Sequence, residues 1–308
     1  MADLTVRRLG TLFTTPVVLS SGPAGFGYEL AEALDFRQIG AITTKTITLE
    51  PKTGNPQPRL VDCPSGALNS IGLENPGIAA FKRTVHPKII ELPLRRIVSL
   101  AASTYDDMSR LVAHIHALSG HDALELNLSC PNVGGQIPGA DATEVEQFVR
   151  AAVAEATLPV LVKLPGDSGN LLRSCERALT AGAAGVTLIN SVRGLRIDWS
   201  SGRPFLSREY GGLSGPAILP ISLARVFEAR RAFPEALIIG MGGVSDLGSA
   251  LEMLMAGADF IGIGFGLMVD PQLPERLACA LSGWLDQHDL SSVEDVIGIA
   301  HSGGFHVH

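Results

Sequence analysis

Short apolar runs alternate along this chain with longer stretches whose apolar residues recur every three to four positions. The short runs are Val17–Ser20, Ile39–Thr44, Ile97–Ala101, Ala123–Leu128, Val160–Leu164, Gly185–Ile189, Leu237–Gly240 and Phe260–Gly264. They read as strands. The helical patterns between them are Tyr28–Leu34, Gly77–Val85, Tyr105–Leu118, Ala142–Glu155, Asn170–Ala181, Pro220–Ala232, Leu247–Ala256 and Gln272–Gln287. Strands alternating with helices predict an α/β fold with a parallel sheet. Eight such units closing on themselves make a (β/α)8 TIM barrel. A doubly wound open sheet is the alternative topology. Two connections, Thr46 to Arg96 and Ser191 to Leu219, are too long for plain turns and are expected to carry function or small elements of their own.

The strand ends favour the barrel. Almost every strand runs into a polar or glycine-rich cluster: Ser20-Ser21-Gly22, Lys45-Thr46, Ser103-Thr104, Asn127 to Asn132, Lys163, Asn190-Ser191, Gly242-Gly243 and Gly264-Phe265-Gly266. Active sites of barrels are assembled at the C-terminal ends of the strands. Turn formation alone accounts for the serines and glycines, but poorly for the lysines and asparagines.

Composition narrows the class. The chain has 308 residues, 46% of them hydrophobic and 18% charged, enough to bury a large core. No linker or repeat divides it, so residues 1–308 are expected to form one domain. A net charge of −7 argues against nucleic acid as a partner. The pairs Arg7-Arg8, Arg95-Arg96 and Arg230-Arg231 read as solvated faces. Cys63, Cys130, Cys175 and Cys279 are scattered without a CxxC, which suggests free thiols in a reducing cytosol and no metal site. Met1 to Gly10 lacks the apolar segment of a signal peptide. The most apolar stretch, Leu251 to Met268, is broken by Glu252, Asp259 and several glycines, so no membrane span is predicted. A cytoplasmic protein is expected.

Chemistry concentrates in Glu125-Leu126-Asn127-Leu128-Ser129-Cys130-Pro131-Asn132. A strand ends here in two amides, a hydroxyl and a thiol, and Pro131 keeps Cys130 out of the helical region. Cys130 reads as a buried structural thiol, a nucleophile or a general base. An unperturbed thiol titrates near ~8.5, within reach of proton abstraction from carbon if a cation lowers it. His114, His116 and His121 sit on or beside a surface helix and do not activate it. The glycine-rich Val133 to Gly139 suits a lid. Lys45 and Lys163 end apolar strands, where an ammonium is costly without an anion or acceptors. They are candidates to stabilise an anionic reduced flavin or to form a Schiff base, against a snorkelling lysine at the rim. Gly240-Met241-Gly242-Gly243 and Gly262-Ile263-Gly264-Phe265-Gly266 follow the last two strands, where glycine turns form anion-binding nests for phosphate. Asn69, in the first long connection, can read an imide-bearing ring, but by itself reads as a turn residue.

With these residues in hand, the whole chain resembles class 1 dihydroorotate dehydrogenase. The resemblance rests on Ser21-Gly22 with Gly25-Phe26-Gly27, Gly54-Asn55-Pro56-Gln57-Pro58-Arg59, Asn69-Ser70-Ile71-Gly72-Leu73, Asn127 to Asn132, Val162-Lys163-Leu164, Ile189-Asn190-Ser191, Gly212-Leu213-Ser214-Gly215-Pro216 and Gly240 to Gly243. It implies an FMN enzyme on a (β/α)8 barrel that oxidises (S)-dihydroorotate to orotate in pyrimidine biosynthesis. Cys130 would take the C5 proton while hydride leaves C6 for the flavin, with Lys45 assisting. The membrane-associated class uses serine as base, so the cysteine implies class 1. Substrate would be held by Lys45, Asn69, Ile71, Gly72, Leu73, Asn127, Asn132, Asn190 and Ser191. FMN would be held by Ser21, Gly22, Lys45, Thr46, Asn127, Lys163, Ser214, Gly215, Gly242, Gly243, Gly264 and Phe265.

Phe26-Gly27, the Ser214 to Ile218 run and Gly240 to Val244 resemble class 1B, which implies a homodimeric core and a separate subunit passing electrons to NAD through FAD and an iron–sulfur cluster. Class 1A members use fumarate instead. Phe265 departs from the threonine usual in the family, which removes a hydroxyl from phosphate and leaves the backbone N–H. Lys163 to Asp167 and Ala101-Ala102-Ser103 also depart from the class 1B pattern. The alternatives are an FMN-dependent dihydropyrimidine dehydrogenase-like paralogue and a Schiff-base barrel lyase.

Overall fold

The computed structural model describes residues 2–129 and 137–305. Eight parallel strands close into a barrel: β1 Val17–Leu19, β2 Ala41–Thr43, β3 Arg95–Leu100, β4 Ala123–Asn127, β5 Val160–Lys163, β6 Gly185–Leu188, β7 Leu237–Met241 and β8 Phe260–Ile263. All eight predicted strands are present, and the barrel reading displaces the open sheet. Each strand is short and nearly all buried, because helices cover the outside and side chains fill the inside.

Inward positions of alternate strands share a layer in such barrels. Following the strand register from the base, Phe260 lies level with Ala41, Ala123 and Gly185. Above it come Val18, Ile97, Leu161 and Ile239, then Thr43, Glu125, Thr187 and Gly262, then Ser20, Ser99, Lys163 and Met241. Side-chain contacts agree with this order. Thr187 Oγ1 donates to Glu125 Oε2 at 2.9 Å, and Ser20 Oγ lies 3.9 Å from Met241 Sδ. The interior therefore grades from apolar at the base to polar at the mouth. The base is plugged by an antiparallel hairpin, Val6–Arg8 with Thr11–Phe13, whose Phe13 ring meets Phe260 edge-on at 4.7 Å.

Six longer helices pack outside: α1 Tyr105–His116, α2 Ala142–Glu155, α3 Leu171–Thr180, α4 Leu219–Ala232, α5 Leu247–Met255 and α6 Leu273–Gln287. Their starts carry local signals. Thr104 caps α1 and Asp141 caps α2, each accepting from backbone N–H groups of the first turn. Asp246 and Ser249 form a reciprocal capping box at α5. The predicted helix over Tyr28–Leu34 is only a 3-10 turn, Tyr28–Leu30; Gly25 and Gly27 before it take φ of 58° and 94°. The helical pattern at Gly77–Val85 runs on through residues 77–89 and winds as a π turn over Phe81–Val85.

The two long connections meet. Leu60–Cys63 and Gly66–Asn69 from the first pair with Tyr210–Ser214 and Val192–Leu195 from the second in one four-stranded antiparallel sheet. This sheet caps the mouth.

Two expectations need correction. Each arginine pair supplies at least one side chain that works structurally rather than lying on a solvated face. Arg8 and Arg230 both bind Asp259, and Arg96 donates to the carbonyls of Leu92 and Gly120. His121 is not a surface residue. It is 8% exposed, its ring 5.1 Å from His86 and 6.5 Å from Phe81, and neither ring nitrogen has a hydrogen-bond partner.

Burial, then the neighbouring His86 and Arg96, push the His121 pKa down from 6.5 to about 4. The folded state thus holds His121 neutral while the unfolded chain takes a proton near pH 6.5. Stability from this residue is complete above that pH and is lost as pH falls toward 4, by about 3 kcal/mol in all. Urea unfolding at pH 7 and pH 4.5 should show a smaller acid loss in His121→Phe than in the parent. Equal losses would exclude His121 as a source of acid sensitivity.

Candidate active site

A continuous polar network crosses the mouth. Thr46 Oγ1, just past β2, lies 3.2 Å from Ser21 Oγ beyond β1 and 2.9 Å from Ser99 Oγ on β3. Asn127 at the end of β4 donates to Thr46 Oγ1 at 3.0 Å. Its carbonyl accepts from Ser129 Oγ at 2.9 Å and from Asn190 Nδ2 at 3.4 Å. Asn190 Nδ2 also reaches Ser129 Oγ at 2.5 Å, and Asn190 Oδ1 accepts from the Ser191 backbone at 2.8 Å. Five strand ends are thereby joined, with Asn127 at the hub. Fixing an amide from both sides sets which face donates and which accepts, as recognition of a planar heterocycle requires.

The glycine turns gather at another side of the mouth. Gly242 and Gly243 take φ of 115° and 89°, and Gly215 takes 109°. A Cβ on Gly243 would stand 2.5 Å from Leu219 Cβ, and one on Gly242 2.3 Å from Ser222 Oγ. The glycines let the β7 turn press against the start of α4, and Ser222 Oγ donates to the Gly242 carbonyl at 2.8 Å. Phe265 lies beside Gly215: a Cβ there would be 3.2 Å from its ring. The side-chain position of Gly22 looks onto open space, and that of Gly264 meets only Ser20, at 3.8 Å. Backbone nests with room beside them suit a phosphate. Ser214 Oγ contacts the Ala67 carbonyl at 3.4 Å, so the cap contributes its own hydroxyl.

Asn69 and Ser191 converge from the cap. Asn69 donates to the Gly212 carbonyl at 3.2 Å, and a Cβ on Gly212 would fall 2.0 Å from Ser191 Oγ. Asn69 is therefore a strand residue, where its isolated sequence reads as a turn. Leu73, with φ 55°, lines a cavity of about 150 Å3 together with Asn127, Thr48, Lys52, Ala101 and Ser103. Ile71 and Gly72 lie against Asn55: the Ile71 carbonyl accepts from Asn55 N at 2.9 Å, and a Cβ on Gly72 would meet Asn55 at 2.6 Å. They shape the cap backbone. A wider groove of about 600 Å3, lined by Phe227, Arg230, Arg231 and His301, contains none of the strand-end residues.

Lys45 is half-buried, its N–H bonded to the Gly25 carbonyl at 2.7 Å. Lys163 is buried, level in register with Asn127 on one side and Thr187 on the other. Cys130, Pro131, Asn132 and the first part of the predicted lid lie outside the described residues. The far end of that glycine-rich stretch is pinned, with Gly139 N donating to the Leu128 carbonyl at 2.7 Å and Ser174 Oγ to the Gly139 carbonyl at 3.2 Å. Sequence reading gave no role to Ser99 or Glu125. The signal was a polar residue at an inward position of an otherwise apolar strand, visible only once the inward parity was known.

Fold and mouth together define a (β/α)8 barrel suited to a phosphate-bearing ligand at its C-terminal face. Comparison gives the family. The sequence model for dihydroorotate dehydrogenase matches residues 3–285. The catalytic subunit of dihydroorotate dehydrogenase B (NAD(+)) from Desulforudis audaxviator is 36% identical over 301 residues, covering 97% of this chain and 98% of its own. Those from Citrifermentans bemidjiense and Bacteroides thetaiotaomicron are 37% and 35% identical, over 96% and 97% of this chain and 97% and 99% of their own. The crystal structure of a dihydroorotate dehydrogenase from Eimeria tenella in complex with ferulenol superposes with a TM-score of 0.81 at 22% identity, over 97% of this chain and 89% of that one, a likeness of fold. The chain belongs to the dihydroorotate dehydrogenase family.

Proposed function

We propose that this protein oxidises (S)-dihydroorotate to orotate in pyrimidine biosynthesis, with FMN at the barrel mouth. The observation that carries the reading is the fixed amide–hydroxyl array around Asn127, beside buried Lys163, in a chain of this family. FMN, when bound, supplies a hydride acceptor that no side chain offers. Ser21, Gly22, Thr46, Lys163, Ser214 and the glycines 215, 242, 243 and 264 would hold it, with Phe265 giving its backbone N–H. The open space beside Gly22 and the positive-φ turns at Gly242 and Gly243 fit its phosphate end. Asn69, Asn127, Asn132, Asn190 and Ser191 would orient the substrate ring, with Lys45 and the backbone of Ile71 to Leu73 at its edge. Cys130 takes the proton from C5 as hydride leaves C6. Holding the ring rigidly against the base is worth as much as the base itself.

The same reading includes a separate FAD and iron–sulfur subunit that passes electrons to NAD, because the relatives are named as catalytic subunits of an NAD(+)-dependent enzyme. It also includes a homodimeric core; Leu195, Ile197, Trp199 and Tyr210 on the cap strands and their connection are exposed apolar side chains of the kind such contacts cover. No described helix is long and apolar enough to cross a membrane.

Anaerobic addition of dihydroorotate to FMN-loaded protein should bleach its visible absorbance, and NAD should restore the colour only with the partner subunit present. Absence of bleaching would exclude the substrate. Recolouring by fumarate alone would exclude the NAD-linked assignment.

A further inference from the structure

Between base and mouth, the barrel wall turns two charged side chains inward among the described residues, Glu125 and Lys163. Glu125 is 0% exposed. Its Oε2 accepts from Thr187, and its Oε1 has no hydrogen-bond partner. To reach Thr187 on β6 from β4, the Glu125 side chain crosses the inner face of β5, the strand that carries Lys163. Lys163, 5% exposed, stands one layer nearer the mouth, and its register neighbours are Thr187 and Asn127. The carboxyl is thus fixed beneath the lysine by the residue beside it.

A buried carboxylate or a buried ammonium alone is severely penalised, whereas opposite charges in consecutive layers offset one another. The other inward side chains of these two layers, Thr43, Thr187, Ser20, Ser99 and Met241, are neutral, and Lys45 stands at the rim past β2. Lys163 makes no side-chain hydrogen bond to a described residue, so Glu125 is the anionic group on the wall placed to compensate it.

We infer that Glu125 is a positioning residue: from inside the barrel it keeps the Lys163 ammonium charged and aimed at the mouth, ready for negative charge that collects on the ligand there. The role at the mouth rests on the flavin reading of that site. The charge pair does not.

The test therefore has two parts. Thermal unfolding of the apoprotein at pH 7 is compared for Lys163→Met, Glu125→Gln and the double variant. Each single change should lower the midpoint by roughly 5 °C or more, and the double variant should recover at least half of the summed loss. Additive losses would overturn the pair. In flavin-loaded protein, the cofactor's midpoint potential is followed from pH 6 to 9. Glu125→Gln should change that profile, and should change nothing on a Lys163→Met background. An unchanged profile, or an equal effect on that background, would overturn the positioning role. If Glu125→Gln does not fold, Thr187→Val, which frees the carboxyl but keeps its charge, should also change the profile, and an unchanged profile there would count equally against it. Parent protein that binds no flavin would sink the reading of the mouth, while the unfolding comparison still decides the pair.

Discussion

Cys130→Ala should slow anaerobic flavin reduction by dihydroorotate by about 10²–10⁴-fold, the range that a positioned general base contributes. Binding of orotate should stay within about threefold of the parent, because binding is assigned to the amides and a thiol adds little to it. Geometry supports this separation. The chain arrives at Cys130 from Ser129, whose hydroxyl is bonded to both Asn127 and Asn190, so these two amides keep each other when the thiol is gone. Cys130→Ser should retain a small activity that rises with pH, since an alkoxide is reached only at far higher pH than a thiolate. Stopped-flow reduction at several pH values with flavin content measured in parallel checks all three statements. A near-parental rate in the alanine variant would remove Cys130 from the mechanism and leave the fold and family untouched.

Asp259→Ala should cost about 3–5 kcal/mol, the usual result of removing one partner from a buried charge cluster, and lower the unfolding midpoint by roughly 6–10 °C. Asp259 is 2% exposed. It accepts from Arg8 Nε at 2.8 Å, from Arg230 Nη2 at 2.7 Å and from the Ile238 backbone at 2.8 Å. Arg8 continues to Glu294 at 2.9 and 3.0 Å, and Arg230 to the carbonyls of Gly257 and Ala236 at 2.8 and 2.9 Å. One carboxylate thus ties the N-terminal hairpin, the entries to β7 and β8 and the C-terminal segment. Arg8→Met, which leaves Arg230 and the Ile238 amide in place, should cost about 1 kcal/mol. Turnover per folded molecule should be unchanged in both variants, because the base of a barrel serves stability and the mouth serves chemistry. A loss of turnover at temperatures where the protein is folded would contradict that division.

Much of this was legible in the sequence because barrels write their pattern locally. Each strand is a short apolar run, and each ends in the side chains that face the mouth. The places of Asn127, Lys163 and the two glycine turns at the strand ends followed from residue type and pattern. Four things were hidden. The cap sheet pairs Asn69 with Gly212, and no local period records a partner so far along the chain. The arginine pairs looked solvated because their acceptors are backbone carbonyls and carboxylates distant in sequence. Ser99, Glu125 and Thr187 passed as ordinary strand residues, since inward and outward parity is fixed only by barrel closure. His121 beside α1 looked like a surface residue because nothing nearby in sequence announced Phe81 and His86 packed over it.

The cap has a consequence for how the molecule is made. Its inner strands, Gly66–Asn69 and Tyr210–Ser214, are adjacent in space, but six of the eight barrel strands must leave the ribosome before the second exists to pair with the first. The glycine turns of β7 and β8 emerge later still. A nascent chain therefore cannot use its ligands as scaffolding. Ligand capture becomes a final inspection that truncated or stalled products fail, because a chain cut before Tyr210 lacks the inner cap strand and the last two barrel strands alike.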